Sequence, residues 1–405
     1  MFRRLIQRLI KMMALFAIIV LLFFTGGCNQ SSRTAQMFRA DVERTGVYPD
    51  GGPASLNNLE WRLVAEGRWL VPIISDKTVY LSAYGVDGDY LYGMDVKTGQ
   101  EQWRVQTAFE GRLSVYPAFA DGIVYFGSSD RNDGNFYAVD VKSGQERWRL
   151  KIEGSVESSP LIFDGIVYIG SSDGYLYAVN IKTGEEQWQF KAEGDTSDSS
   201  PTISGGSVYF GISDWDDGYL YAVDIRTGRE QWRFKIEGEV IISSPVVSSG
   251  SVYIGSSDGD NGYLYAVEAK TGRELWRFKT RGEMIDPFPA ISDAIIYFTS
   301  WSWDWSGDDQ NGYLYAVNTN TGQEVWKKDG FYSSPAISGK IVYLGISDRD
   351  GSYLYAVDAK TGLELWKFKA AGGVYYPPVI SDGFIYFTST ERRNNEYYSY
   401  LYKLK

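Results

Sequence analysis

Short runs of apolar residues alternating with polar ones follow each other along this chain, and they return in the same order about every forty residues. "NGYLYAVEAKTGRELWRF" at 261–278 restates "DGYLYAVDIRTGREQWRF" at 217–234 and "DGYLYAVNIKTGEEQWQF" at 173–190. Each unit has four pieces, as in "SSPLIF", "GIVYIGSS", "YLYAVNIKTG" and "EEQWQFKAEG". Period-two alternation, β-branched and aromatic enrichment, and Gly or Asp-Gly punctuation predict four antiparallel strands per unit, here strands A to D. No stretch sustains a helical period.

Two markers count the units. A proline in strand A recurs at Pro72, Pro117, Pro160, Pro201, Pro245, Pro289, Pro335 and Pro378. A tryptophan four residues after a glycine recurs at Trp103, Trp148, Trp188, Trp232, Trp276, Trp326 and Trp366, one short of the prolines. The eighth stands early: Trp61, in "LEWRLVAEG", heads a D-type strand with nothing before it, while the last unit stops after strand C. Head and tail complete each other if the chain closes into a ring, which removes the unpaired edge of an open array. The expectation is an all-β, eight-bladed β-propeller of four-stranded antiparallel blades, its last blade completed by the N-terminal strand. An open solenoid would carry polar capping repeats, and none is visible.

Repeated residues read as scaffold. The glycine of "KTG" suits a tight C–D turn at positive φ. The eight tryptophans, Trp61 included, read as rings laid between neighbouring blades, each costing about 3–5 kcal/mol on truncation to Ala.

Residues 1–27 differ in kind. Basic "MFRRLIQRLIKMM" precedes apolar "ALFAIIVLLFF" and "TGGC", the layout of an export signal too short to span a bilayer at about 20 residues. Cys28 is the only cysteine. Its place after Gly26-Gly27 resembles a bacterial lipoprotein signal, in which that cysteine is lipidated; Thr25 departs from the usual Leu. The expected layout is a signal at 1–27, a tether and lead-in at 28–58 and the propeller at 59–405. Losing 1–27 removes Arg3, Arg4, Arg8 and Lys11 and no acid, so the net charge of −11 becomes −15. Such a body is repelled by nucleic acid and anionic lipid, leaving the lipid as its only membrane contact. No cysteine remains for a disulfide, and the chain has no histidine.

The "YLYAVDIRTGREQW" repeat is similar to that of the pyrroloquinoline-quinone (PQQ)-like, or quinoprotein alcohol dehydrogenase-like, propellers. "MFRADVERTG" at 37–46 resembles their lead-in segment. The resemblance implies one of two roles: PQQ-dependent dehydrogenases, or BamB-like non-catalytic lipoproteins of outer-membrane β-barrel assembly. The first resemble one another in a vicinal cysteine pair, a calcium held by Glu and Asn, and a catalytic Asp. A lone Cys28 cannot make that pair, and the channel-lining strands offer Ser158-Ser159, Ser199-Ser200, Ser243-Ser244 and Ser333-Ser334 instead of carboxylates. The expectation is therefore no enzyme, no cofactor and no catalytic residue. A monomeric body would hang from the envelope (the periplasmic face of the outer membrane if Gram-negative, otherwise the cell surface), with envelope proteins, β-barrel assembly components among them, as partners.

Variation concentrates on the B–C loops, where binding usually resides. The stretches Asp130–Gly134, Asp214–Gly218 and Asp258–Gly262 place Gly fifth, not sixth, and their twelfth positions are Val141, Ile225 and Ala269. They fit hairpin-turn caps better than calcium loops, so no metal is expected. "TSWSWDWSGDDQNG" at 299–312 stands apart. Trp301, Trp303 and Trp305 share one face of an extended strand, with Asp304 opposite and Asp308 and Asp309 beyond. Either strand B of the sixth unit runs long and packs on a loop, or this is an acid-rimmed aromatic patch for a protein or glycan, joined by Trp215.

Overall fold

The computed structural model describes residues 39–405 except 57, 70, 76, 86–87, 107–111, 114–115, 131–132, 157, 197–198, 215–216, 238–239, 242, 286–287, 303–311, 331–332, 349–350 and 395. Eight antiparallel blades follow one another, seven of them with their strands in chain order from the channel outward. The third blade is typical: Leu161–Phe163, Ile166–Gly170, Tyr175–Asn180 and Glu186–Lys191. Among the described residues four blades add a two-residue inner piece that the repeat pattern did not announce: Arg68–Trp69, Arg112–Leu113, Val240–Ile241 and Met284–Ile285 each pair with the loop end of their own strand B.

The ring closes as the markers require. Strand Leu59–Glu66 pairs with Glu396–Leu404, placing Trp61 opposite Lys403, and Phe384–Arg393 and Val379–Ser381 complete the eighth blade. The two ends are tied by reciprocal bonds of 2.9 Å between the backbones of Asn58 and Lys405.

Among the described residues the apolar material is divided among eight clusters, each centred between two adjacent blades, the closing one also taking in Tyr116 and Phe288. Strict alternation produces this arrangement. In strand Gly262–Glu268, Tyr265 and Val267 pack towards the fourth blade while Leu264 and Ala266 pack towards the sixth. A one-residue slip would exchange the two sets, so register is fixed from both sides.

Each interface is pinned by the same clamp. A strand-B tyrosine and a strand-D tryptophan stand about 6 Å apart in all eight blades, from Tyr80–Trp103 at 5.9 Å to Tyr386–Trp61 at 6.2 Å. The indole donates across the interface, as from Trp148 Nε1 to the Ile181 carbonyl (3.0 Å), and the Tyr125 hydroxyl donates to that same carbonyl. The ring lies against the turn glycine of the next blade: a Cβ on Gly184, at φ +72°, would sit 2.7 Å from Trp148 Cδ2. Gly99 underlies Trp61 in the same way, carrying the clamp across the closure. Most of these rings keep an exposed edge, with Trp366 the best covered. Truncation therefore falls towards the lower end of the 3–5 kcal/mol range.

The closing interface carries one variation. Where six blades have Ala138, Ala178, Ala222, Ala266, Ala316 or Ala356 opposite the tryptophan, the eighth has Lys403. Its ammonium lies 3.9 Å from the centre of the Phe384 ring and donates to the Val96 carbonyl (3.0 Å), while the Trp61 indole N–H finds no acceptor.

Candidate functional site: the channel and the loop face

Strand A is the innermost strand of every blade, so eight sets of backbone N–H and C=O groups face the central channel without a sheet partner. Buried groups of this kind must be satisfied by something else. The Ser-Ser-Pro repeat answers part of the demand. The first serine bonds within its blade: Ser158 Oγ accepts from Gly170 N–H at 2.8 Å, and Ser199, Ser243 and Ser333 do the same at Gly211, Gly255 and Gly345. The second bonds between blades: Ser200 Oγ accepts from Ser159 N–H (2.9 Å) and Ser244 Oγ from Ser200 N–H (3.0 Å). These hydroxyls hold the channel wall together.

At the end of the channel near the D–A and B–C loops, four units lack the serine motif, and three of them carry aromatics in its place. "VYP" brings Tyr116, "PFP" brings Phe288 and "YYPP" brings Tyr375 and Tyr376. Tyr116 of the second blade and Phe288 of the sixth, opposite each other in a ring of eight, meet edge-to-face with centroids 5.5 Å apart. They can do so only by reaching across the channel. Tyr376 adds a second edge contact to Tyr116 at 6.5 Å, and burial raises its hydroxyl pKa. Tyr116 and Phe288 are 8% and 9% exposed, while Tyr375 is largely open.

The other end, near the A–B turns, is closed by residues 39–53. Strand-A N–H groups of four consecutive blades donate to this clasp: Ile203 to Val42 (2.8 Å), Val247 to Glu43 (3.0 Å), Ile291 to Thr45 (2.9 Å) and Ile337 to Gly46 (2.9 Å). From it two arginines enter the channel, 1% and 2% exposed. Arg39 Nη1 donates to the Pro335 carbonyl (2.6 Å) and Nη2 to that of Pro289. Arg44 Nε donates to Pro201 (2.6 Å) and Nη2 to Ser159 (2.9 Å). Burial pulls the Arg44 pKa down to about 9, which leaves it charged at neutral pH. Gly46, at φ +66°, leaves the space that the Arg39 guanidinium fills. Asp41 accepts from the Thr45 N–H (2.9 Å) and from its hydroxyl, and burial raises its pKa against those bonds. The clasp is strained: Arg39, Ala40 and Arg44 have φ of 71°, 71° and 54°, each worth roughly 1–2 kcal/mol for a residue with a side chain.

Of the residues singled out in the sequence, Trp301 ends the strand Ile295–Trp301, where it pairs with Met284 and Gly312 and is partly exposed. Trp303, Asp304, Trp305, Asp308, Asp309 and Trp215 lie outside the described residues, as does Cys28. In the Asp258 loop the carboxylate accepts from the backbones of Asp260 (2.9 Å) and Asn261 (2.6 Å) and from the Asn261 side chain, which is a turn cap. Sequence reasoning missed Arg39, Arg44, Tyr116 and Phe288. The available signals were two arginines five residues apart in an otherwise non-repeating lead-in, and aromatic-Pro in place of Ser-Pro in two opposite blades.

A quinone with its calcium would need an open cradle and a carboxylate set. Both ends of the described channel are filled by the chain's own side chains, and among the described residues no three His, Cys, Asp or Glu side chains cluster as metal ligands. The described channel residues do not fit that group.

A ring of this geometry with this repeat defines a class, the PQQ-like propellers. More particularly, the family model described as "Outer membrane protein assembly factor BamB" matches residues 54–151, 87–216, 216–310 and 310–400, and the chain belongs to that family. No curated protein matches. Among solved structures, quinohemoprotein alcohol dehydrogenase ADHIIG from Pseudomonas putida is similar at 15% identity and a TM-score of 0.71, over 91% of this chain and 79% of that one. BamB from Moraxella catarrhalis is similar at 16% identity and a TM-score of 0.63, over 85% and 99%. The computationally designed Ika8 protein is similar at 19% identity and 0.63, over 88% and 98%. At these identities the likeness is one of fold.

Proposed function

We propose that this protein is a non-catalytic interaction platform of the cell envelope, lipid-anchored through Cys28 and acting, like BamB, in outer-membrane β-barrel protein assembly. The observation that carries the reading is the filled channel. Arg39 and Arg44 occupy one end and Tyr116 with Phe288 the other, which supports reading the surface as the working part. The family match supports the assembly role. The contacting surface would be the loop face, where blades otherwise alike differ from one another. The anchored protein, affinity-purified from native membranes, should bring down β-barrel assembly components. Recovery without any of them would overturn the assembly role. Cys28→Ser should abolish fatty-acid labelling and release the protein from the membrane fraction.

A second reading rests on the alternating Trp301, Trp303 and Trp305 with their acidic neighbours: a glycan-binding propeller. It predicts glycan-array signal that Trp303→Ala removes, and silence of the mature domain would exclude it. Quinone-dependent dye reduction by the purified protein would overturn both readings in favour of a dehydrogenase.

A further inference from the structure

The clasp end of the channel has the form of a peptide site, and the peptide it holds is the chain's own. Every wall group is supplied by the ring. An outer tier of N–H donors from Ile203, Val247, Ile291 and Ile337 receives backbone carbonyls, and an inner tier of carbonyls, those of Pro289 and Pro335 on one side, receives guanidinium. Donors for peptide backbone beside acceptors for side chains are the two halves of extended-peptide recognition. The inner tier selects the side chain: neutral carbonyls in fixed positions suit the planar, multi-donor guanidinium better than a point-like ammonium.

The ring's strands and most of its cohesion lie elsewhere. Adjacent blades are joined by apolar clusters and tryptophan-on-glycine contacts; Val42, Val47 and Tyr48 pack onto the rims of four of those clusters, and Pro53 receives Trp366 and Tyr343. Residues 39–48 supply no ladder strand to any blade, only the isolated bridge from Val47 to Ile337. They are also held in an unfavourable backbone conformation at three side-chain-bearing positions, so a peptide presenting its arginines without that strain would compete well.

We propose that this end of the channel is a receptor for an extended, arginine-bearing peptide, occupied here by residues 39–48, and that a partner segment carrying guanidinium groups can replace them. The site is distinct from the loop face and independent of the assembly role.

The test uses the full chain carrying Arg39→Ala and Arg44→Ala, a labelled synthetic peptide of residues 39–50, and the same peptide with citrulline in place of both arginines. The variant should bind the arginine peptide at least about ten-fold more tightly than the citrulline peptide. The parent should bind it at least about ten-fold more weakly than the variant, because its own clasp competes at an effective concentration in the millimolar range. A folded variant that binds neither peptide, or both alike, overturns the proposal. Should the double variant fail to fold, a parent chain with a protease site inserted between Pro49 and Gly52 serves instead. After cleavage the labelled peptide should displace the cut clasp on gel filtration, and a cut chain that keeps its own clasp and takes up no label refutes it.

Discussion

Two glycines in one blade separate backbone strain from packing between blades. Gly165, in the A–B turn of the third blade, has φ +77° and nothing within 4 Å of where its Cβ would stand. Gly184, in the C–D turn of the same blade, has φ +72°, but its Cβ would stand 2.7 Å from Cδ2 and 2.8 Å from Cγ of Trp148. Alanine at Gly165 brings the left-handed strain alone, roughly 1–2 kcal/mol. Alanine at Gly184 brings the same strain plus displacement of a ring that is packed between blades and held by the Trp148–Ile181 bond; overpacking of this kind costs about 1–3 kcal/mol more, for a total of about 2–5 kcal/mol. Urea-unfolding midpoints of the two variants, with unchanged slope, measure the difference directly. Equal losses would refute the claim that glycine is required there by the neighbouring blade, and would leave turn conformation as its whole purpose.

Other tests follow from single features. Lys403→Ala restores the residue found opposite six other tryptophans and gives the Trp61 indole access to the Val96 carbonyl, so stability should change by less than about 1 kcal/mol; Lys403→Met keeps the bulk, leaves that carbonyl unpaired and should cost about 1–3 kcal/mol. Both variants losing the same amount would exclude this account. Turn carboxylates lie below their ordinary pKa, Asp140 through the Arg147 side chain first and then the Ser143 N–H, Asp224 through the Thr227 hydroxyl and then its N–H. A pKa depressed in the folded state gives stability that is complete above the ordinary carboxylate value near 3.9 and lost as pH falls through the lowered one. The urea midpoint should drop below about pH 4, and less steeply in Asp140→Asn; parallel curves would contradict this. With Asp258 committed to its own turn, a chelator should leave the melting temperature unchanged, and a clear fall would point to a bound cation in the B–C loops.

How much of this could be read in the sequence depended on repetition. Pro72 to Pro378 counted the blades, and the stray Trp61 located the closure, because a ring imposes the same demand eight times and any departure is visible. Arg39 and Arg44 answer a demand made once, by inner edges that converge only in three dimensions, so no repeat marked them. Tyr116 and Phe288 are far apart in sequence and meet only because the second and sixth blades are opposite. The serine pairs were recognisable as channel lining, but the bond from Ser159 to Ser200 joins different repeats and has no local signature. The aromatic stretch at 303–305 remains a sequence-level candidate, outside the described residues.

The pairing of Leu59–Glu66 with Glu396–Leu404 has a temporal consequence. During synthesis the strand bearing Trp61 emerges first of all the blades' strands and must wait for the last residues before it finds a partner; the Trp69–Ser399 contact at the same seam spans 330 residues. Contacts so distant in sequence form slowly, and meanwhile two bare strand edges are available to other chains. A protein that matures by this route needs protection until its final strand arrives, and losing even a few C-terminal residues should leave it open.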